Sequence, residues 1–300
     1  MSKIKGCITA LITPFDSDGK IDESAFESLI LRQIKNGVHG LVPCGTTGES
    51  PTLSHEEHQE VIKIAIDVTK NKVPVIAGTG SNSTYEAIKM TENAEKAGAD
   101  ATLQVVPYYN KPNQSGLFNH FSEIAKNTSL PLILYNIPGR SVVNLTVETI
   151  ANLEQENKNI IGIKEASGDI EMVKGIKSSC SDKFIVLSGE DSLNLSILEL
   201  GGAGYISVTS NLLPNKCSSM FNAYIDGNTN NAEKINLDLL EINKLLFIDT
   251  NPIPIKYAMS RLGLCKNSLR LPLCCLDEEK SLILSTELEK HIVKENKLDK

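Results

Sequence analysis

Eight short apolar runs recur along the chain: CITALI (7–12), HGLVPC (39–44), PVIAG (74–78), ATLQVV (101–106), PLILYN (131–136), IIGIK (160–164), FIVLS (184–188) and GYISV (204–208). They lack the strict polar–apolar alternation of a half-exposed sheet, which suits strands covered on both faces. Each gap between them holds a segment with helical periodicity, so the chain reads as repeated βαβ units around a parallel sheet. Two helix starts carry the capping-box signature, Ser54 with Glu57 and Ser83 with Glu86. Gly37 and Gly98 fall where helices end in the left-handed region. Eight such units predict an α/β fold of the (β/α)8 TIM barrel type. An open dinucleotide-binding sheet would carry GxGxxG, but Gly78-Thr79-Gly80 is followed by Ser83 where the third glycine belongs.

Beyond residue 225 the strand pattern stops. Residues 231–247, 252–262 and 278–294 read as helices, with Asn251-Pro252-Ile253-Pro254 making a turn that starts the second. The expectation is a catalytic barrel over 1–224 and a C-terminal three-helix extension over 225–300. No Gly/Ser linker separates them, so they form one structural unit. The polar end, KENKLDK, is expected to fray.

Charge and cysteine usage exclude several classes. The net charge is -7, from 30 Lys+Arg against 37 Asp+Glu, which disfavours nucleic acid and anionic membranes as partners. The opening MSKIKGCITALITPF runs straight into Pro14 and Asp16 and does not read as a signal peptide. No stretch approaches the roughly 18 apolar residues that span a bilayer. The 7 cysteines include no CxxC pair, which suits reduced thiols and a cytoplasmic location. His55-Glu56-Glu57-His58 spaces its histidines three apart where a zinc-protease helix needs four, so no metal is expected. That spacing does put both rings on one helix face, which leaves a ligand contact open.

Barrel active sites lie at the C-terminal ends of the strands. Thr46, Thr47, Tyr108, Tyr109, Tyr135, Arg140, Lys164 and Gly189 fall there. An amine held out of water is less readily protonated and becomes a nucleophile toward carbonyls. Lys164, closing an unbroken apolar run, fits that role. It also fits a strand-end lysine that reaches water or pairs with Glu165. Tyr135 suits a proton shuttle or a core aromatic. The glycine-flanked Thr46-Thr47 turn suits a carboxylate or a plain tight turn. Arg140 suits a bidentate carboxylate contact or a solvated charge. Cys44, just before that turn, reads as a small core filler or an oxidisable thiol.

The motifs GTTGES (45–50), PYYNKP (107–112), LYNIPGR (134–140), GIKEASGD (162–169), SGEDS (188–192), GYISVTSN (204–211) and NPIPIK (251–256) occur in that order. Together they resemble the dihydrodipicolinate synthase (4-hydroxy-tetrahydrodipicolinate synthase) family of the N-acetylneuraminate lyase superfamily, over about residues 4–275. The resemblance implies a lyase condensing pyruvate with L-aspartate 4-semialdehyde in diaminopimelate and lysine biosynthesis, without a cofactor. It implies a Schiff base on Lys164, a proton relay of Tyr135, Thr46 and Tyr109, and Tyr109 supplied across a subunit interface. Thr47 is implied to hold the pyruvate carboxylate and Arg140 that of the semialdehyde, with the carbonyls of Gly189 and Ile206 lining the pocket.

The resemblance further implies a homotetramer inhibited by L-lysine through Ser50, His55, His58, Asn82, Glu86 and Tyr108. Helix capping is the competing reading for Glu86. Pro51 stands where alanine is common in the family, and its missing N–H is expected to alter the loop. N-acetylneuraminate lyases and 2-keto-3-deoxy acid aldolases share the barrel and the lysine. Arg140 after the YNIP segment favours a small anionic aldehyde over a sugar acid. A non-catalytic barrel would be marked by loss of Lys164, Tyr135, Thr46 or Tyr109, and all four are present.

Overall fold

In a computed structural model that describes residues 4–295, the apolar runs become eight strands. These are β1 (Gly6–Ala10), β2 (Gly40–Val42), β3 (Ile76–Gly78), β4 (Ala101–Val105), β5 (Leu132–Asn136), β6 (Ile160–Glu165), β7 (Ile185–Ser188) and β8 (Gly204–Ser207). They form one parallel sheet in the order β2-β1-β8-β7-β6-β5-β4-β3. A parallel bridge between Leu41 and Val75 joins the two ends, closing the barrel. Several strands are shorter than their apolar runs, for local reasons. Pro43 cannot donate to the ladder and Cys44 adopts φ 56, so β2 stops at Val42. Pro74 likewise delays β3.

The helices are α1 (Glu23–Lys35), α2 (His55–Thr69), α3 (Thr84–Ala97), α4 (Gln114–Lys126), α5 (Pro138–Ser141), α6 (Val147–Glu156), α7 (Ile170–Ser179), α8 (Asn194–Glu199) and α9 (Pro214–Ile225). The extension adds α10 (Thr229–Leu245), α11 (Ile253–Arg261) and α12 (Glu278–Glu295). Each lies within two residues of its expected bounds. Of the tail expected to fray, 294–300, Lys294 and Glu295 close α12, and residues 296–300 lie outside the described residues. Gly37 and Gly98 take left-handed φ values of 79 and 94, as anticipated for helix stops.

The capping box on α2 is complete. Ser54 Oγ accepts from Glu57 N at 3.2 Å and Glu57 Oε2 accepts from Ser54 N at 2.9 Å. The one expected on α3 is only half made. Ser83 Oγ accepts from Glu86 N at 3.4 Å, but Ser83 N donates to Ser81 Oγ at 3.0 Å and the Glu86 carboxylate receives the Ser81 hydroxyl. Ser81 outcompetes Glu86 for the N-terminal N–H and leaves the carboxylate facing outward.

Alternate strand residues face opposite ways. One set fills the lumen in a single cluster that includes Ile8, Val42, Ile76, Leu103, Ile133, Tyr135, Leu187 and Ile206. The other set, with the inner helix faces, forms two larger clusters outside the sheet. Each fully buried Leu or Ile stabilises the fold by about 1.5–3 kcal/mol, so the barrel wall is stiff enough to fix side chains at its rim. Among the described residues, no helix is long and apolar enough to cross a membrane. Nor is any group of three or more His, Cys, Asp or Glu arranged to hold a metal ion.

Candidate active site

The β5–β6 register sets Tyr135 directly beside Lys164. Both point into the lumen and are nearly sealed from water, 5% and 6% exposed. The Lys164 Nζ lies 4.2 Å from the centroid of the Tyr135 ring. Their chain neighbours, Asn136 and Glu165, face the helices instead. Glu165 accepts from Asn136 Nδ2 at 3.0 Å and from Ser167 N at 2.7 Å, and burial pushes its carboxyl up. Strand parity therefore removes the pairing of Lys164 with Glu165 and leaves the amine inside the barrel mouth.

Gly189 makes room for that amine. A Cβ there would sit 2.9 Å from Lys164 Cε and 2.6 Å from Ala166 Cβ. Its N–H is anchored to the Glu165 carbonyl at 2.7 Å, so the backbone cannot back away. Ile206 pairs with Ile8 on β1 and packs in the same lumen cluster as Tyr135. Glu190, unmarked by the sequence reading, follows Gly189. Burial raises its carboxyl, while the nearby Lys164 charge acts the other way.

Tyr135 opens onto a cavity of about 240 Å3 whose walls include Thr46, Ser50, Tyr108 and Arg140. Thr46 and Thr47 lie in the turn after β2. Among the described residues, neither gives its backbone N–H to another group of the chain, so both are free for an anion. Thr47 is buried, its Oγ1 accepting from Asn251 Nδ2 at 3.0 Å. The Asn251 carbonyl in turn accepts from Arg140 Nη2 at 3.0 Å. Asn251 thus joins the two carboxylate candidates. In the sequence it stands out only as the head of NPIPIK.

Cys44 also borders the cavity, but burial pushes its thiol up and it donates to the His58 carbonyl at 3.5 Å. That environment is a filler's. A larger cleft of about 900 Å3 opens at the other end of the barrel, between Ile4, Pro74, Pro131, Ile161 and Ala203. It lies at the strand N-termini, away from these groups.

Tyr109 stands apart from the cavity of its own chain. It is 89% exposed and takes φ 73, uncommon for an aromatic residue. Of the residues expected to bind an amino acid, Tyr108, Glu86, His55 and Asn82 do gather. His55 Nε2 lies 3.3 Å from Glu86 Oε1, and Asn82 Nδ2 donates to the Tyr108 carbonyl at 3.1 Å. Burial, then Glu86, raises the Tyr108 hydroxyl. Ser50 lies on the cavity wall with Tyr108. His58 differs from its partner at i−3. It is buried, with Nε2 2.8 Å from the Gly78 carbonyl, and burial lowers its basicity. Because α2 begins at His55, that ring fans outward while His58 turns in. Pro51 sits at the start of a 3₁₀ turn (Ser50–Thr52), a position where a backbone N–H has no partner within the turn.

Comparison with known proteins adds to this geometry. The model of the dihydrodipicolinate synthetase family matches residues 3–291. A 4-hydroxy-tetrahydrodipicolinate synthase from Thermodesulfovibrio yellowstonii is 54% identical over 270 residues, 90% of this chain and 92% of that protein. Two solved structures superpose on almost the whole chain. The dihydrodipicolinate synthase from Acinetobacter baumannii, solved with pyruvate, is 43% identical with a TM-score of 0.93, covering 95% of this chain and 98% of that one. The enzyme from Cyanidioschyzon merolae, solved with lysine bound, is 40% identical with a TM-score of 0.93, covering 96% and 98%.

Proposed function

The chain belongs to the dihydrodipicolinate synthetase family, and we propose that it condenses pyruvate with L-aspartate 4-semialdehyde through an imine on Lys164. The Lys164 amine adds to the pyruvate ketone and water leaves, giving the imine. Loss of a methyl proton makes an enamine, which attacks the aldehyde carbon. The amine of the second substrate then displaces Lys164 as the ring closes, releasing 4-hydroxy-tetrahydrodipicolinate for diaminopimelate and lysine synthesis. One water is lost overall and no oxidant or reductant is required.

The observation that carries this reading is the Lys164 amine, sealed in the lumen against the Tyr135 ring and without an ion-pair partner among the described residues. Tyr135 moves protons to and from the carbinolamine, with Thr46 and the Tyr109 of a neighbouring copy completing the relay. The exposure and left-handed backbone of Tyr109 support its presentation to a second chain. Thr47, with the free N–H groups of its turn, receives the pyruvate carboxylate. Arg140 meets the carboxylate of the semialdehyde by charge-assisted hydrogen bonds. The Gly189 and Ile206 carbonyls line the pocket.

The enzyme is a cytoplasmic homotetramer, a dimer of dimers, with its cysteines all free thiols. Lysine inhibits it at the cluster of Tyr108, Glu86, His55, Asn82 and Ser50, where the Glu86 carboxylate, not taken by a helix cap and shared with Ser81 and His55, receives an ammonium. His58 supports that cluster from below. Purified protein given both substrates should turn over. Borohydride with pyruvate alone should leave a reduced adduct on the peptide containing Lys164. Absence of the adduct, or cleavage of a sialic or keto-deoxy acid in place of condensation, refutes the assignment.

A further inference from the structure

The turn that carries Thr46 and Thr47 is gripped from four sides. It lies between two non-glycine residues in the left-handed region, Cys44 (φ 56) and Glu49 (φ 53). Such conformations persist only where surrounding contacts over-determine them. Thr13 Oγ1 donates to the Gly48 carbonyl at 2.7 Å, from the loop after β1. The remaining grips come from far along the chain. Asn251 holds Thr47, Arg270 N donates to Glu49 Oε2 at 3.1 Å, and Lys256 ion-pairs with Glu49.

The Glu49–Lys256 pair is sealed, with both side chains 0% exposed. Lys256 Nζ also donates to the Ser268 carbonyl at 2.9 Å and lies 4.0 Å from the Phe15 ring centroid. Arg270 stacks on the same ring at 4.4 Å and clasps Glu57 with two bonds of 2.6 Å. A buried ion pair seldom adds stability beyond what an apolar pair would give; its best-attested use is to impose one arrangement on the groups around it. Here the arrangement imposed is that of the turn with the free N–H groups.

We propose that Glu49 and Lys256 are positioning residues that hold the Thr46-Thr47 turn in its carboxylate-receiving shape, which makes the C-terminal helices an arm of the active site. This rests on the assignment of Lys164 and Thr47 above. Neither residue touches substrate; they act through the turn.

The test uses full-length Glu49→Gln, Lys256→Met and the double variant, with steady-state kinetics, melting temperature and borohydride trapping. Glu49→Gln should raise the KM for pyruvate about tenfold or more while kcat falls by less than about threefold, the signature of lost uniform binding. Trapping at saturating pyruvate should still label Lys164. In the double variant no buried charge is left unpaired, so the melting temperature should recover toward wild type while KM stays raised. A purely structural pair behaves otherwise, with KM unchanged in folded Glu49→Gln or recovering with the melting temperature in the double variant. Either result overturns the proposal, and Glu49→Gln with the double variant decides it whether or not Lys256→Met folds. Wild-type protein that traps no pyruvate refutes the imine assignment instead.

Discussion

Gly189→Ala tests how tightly the barrel mouth constrains the reacting amine. The added methyl would lie 2.6 Å from Ala166 Cβ, 2.9 Å from Lys164 Cε and 3.1 Å from the Glu165 carbonyl. Two of these neighbours belong to or sit on β6 backbone, and the Gly189 N–H is fixed to Glu165. The lysine is the neighbour with rotamers to spare, so it yields first. Overpacking of this kind costs about 1–3 kcal/mol. At roughly 1.4 kcal/mol per decade of rate, a strain of that size falling on the amine lowers kcat/KM by about 5- to 150-fold. The assay is steady-state kinetics on pyruvate together with the rate of borohydride trapping, with thermal melts as the control for folding. A variant with wild-type melting temperature and kcat/KM within about twofold of wild type refutes the reasoning. It would mean that the methyl is accommodated without moving Lys164.

Three further outcomes follow from the geometry. Tyr135→Phe keeps the ring under the lysine and removes the hydroxyl, so kcat should fall by about 100- to 10,000-fold; a fall under tenfold in single-turnover trapping removes Tyr135 from the relay. Glu86→Ala should raise the lysine concentration for half-inhibition by about tenfold, the worth of roughly 1.4 kcal/mol; unchanged inhibition curves place the lysine elsewhere. His120 is buried and its pKa is depressed to about 4 from 6.5. The unfolded chain therefore binds the proton more readily between those values. The stability this gives is complete above pH 6.5 and lost as pH falls toward 4, about 2 kcal/mol of it between pH 7 and 5. Urea melts should show His120→Gln losing less stability over that interval, and parallel losses in both proteins contradict the assignment.

The barrel was legible because its signal is repeated. Eight apolar runs with helical segments between them fix strand count and direction, and each run tolerates errors at its ends. Proline and left-handed residues then trim those ends, as at Pro43 and Cys44. Lys164 and Tyr135 were legible as strand-end residues, but the choice between imine and ion pair needed the register. Only the alternation along β6 shows that Glu165 faces Asn136 and away from the amine. The half-made capping box was illegible because S-x-x-E does not say whether an earlier serine will take the N–H, and Ser81 does. His58 resembled His55 by spacing alone, while the first turn of a helix separates their directions. Asn251 and Lys256 lie about 200 residues from the turn they hold (|i−j| is 204 for Asn251 and Thr47), and no local pattern connects them. Tyr109 is exposed on its own chain, and the relay proposed for it needs a second copy that one sequence cannot draw.

Asn251, Lys256 and Arg270 tie the turn after β2 to the segment 251–270. The ladder of β1 to β8 is made among the strands themselves. Thr47 and Glu49 lack their partners until the chain has reached Arg270. Any chain ending before residue 251 would keep all eight strands and lack these contacts, so the turn is the part of the barrel mouth whose shape depends on the later helices.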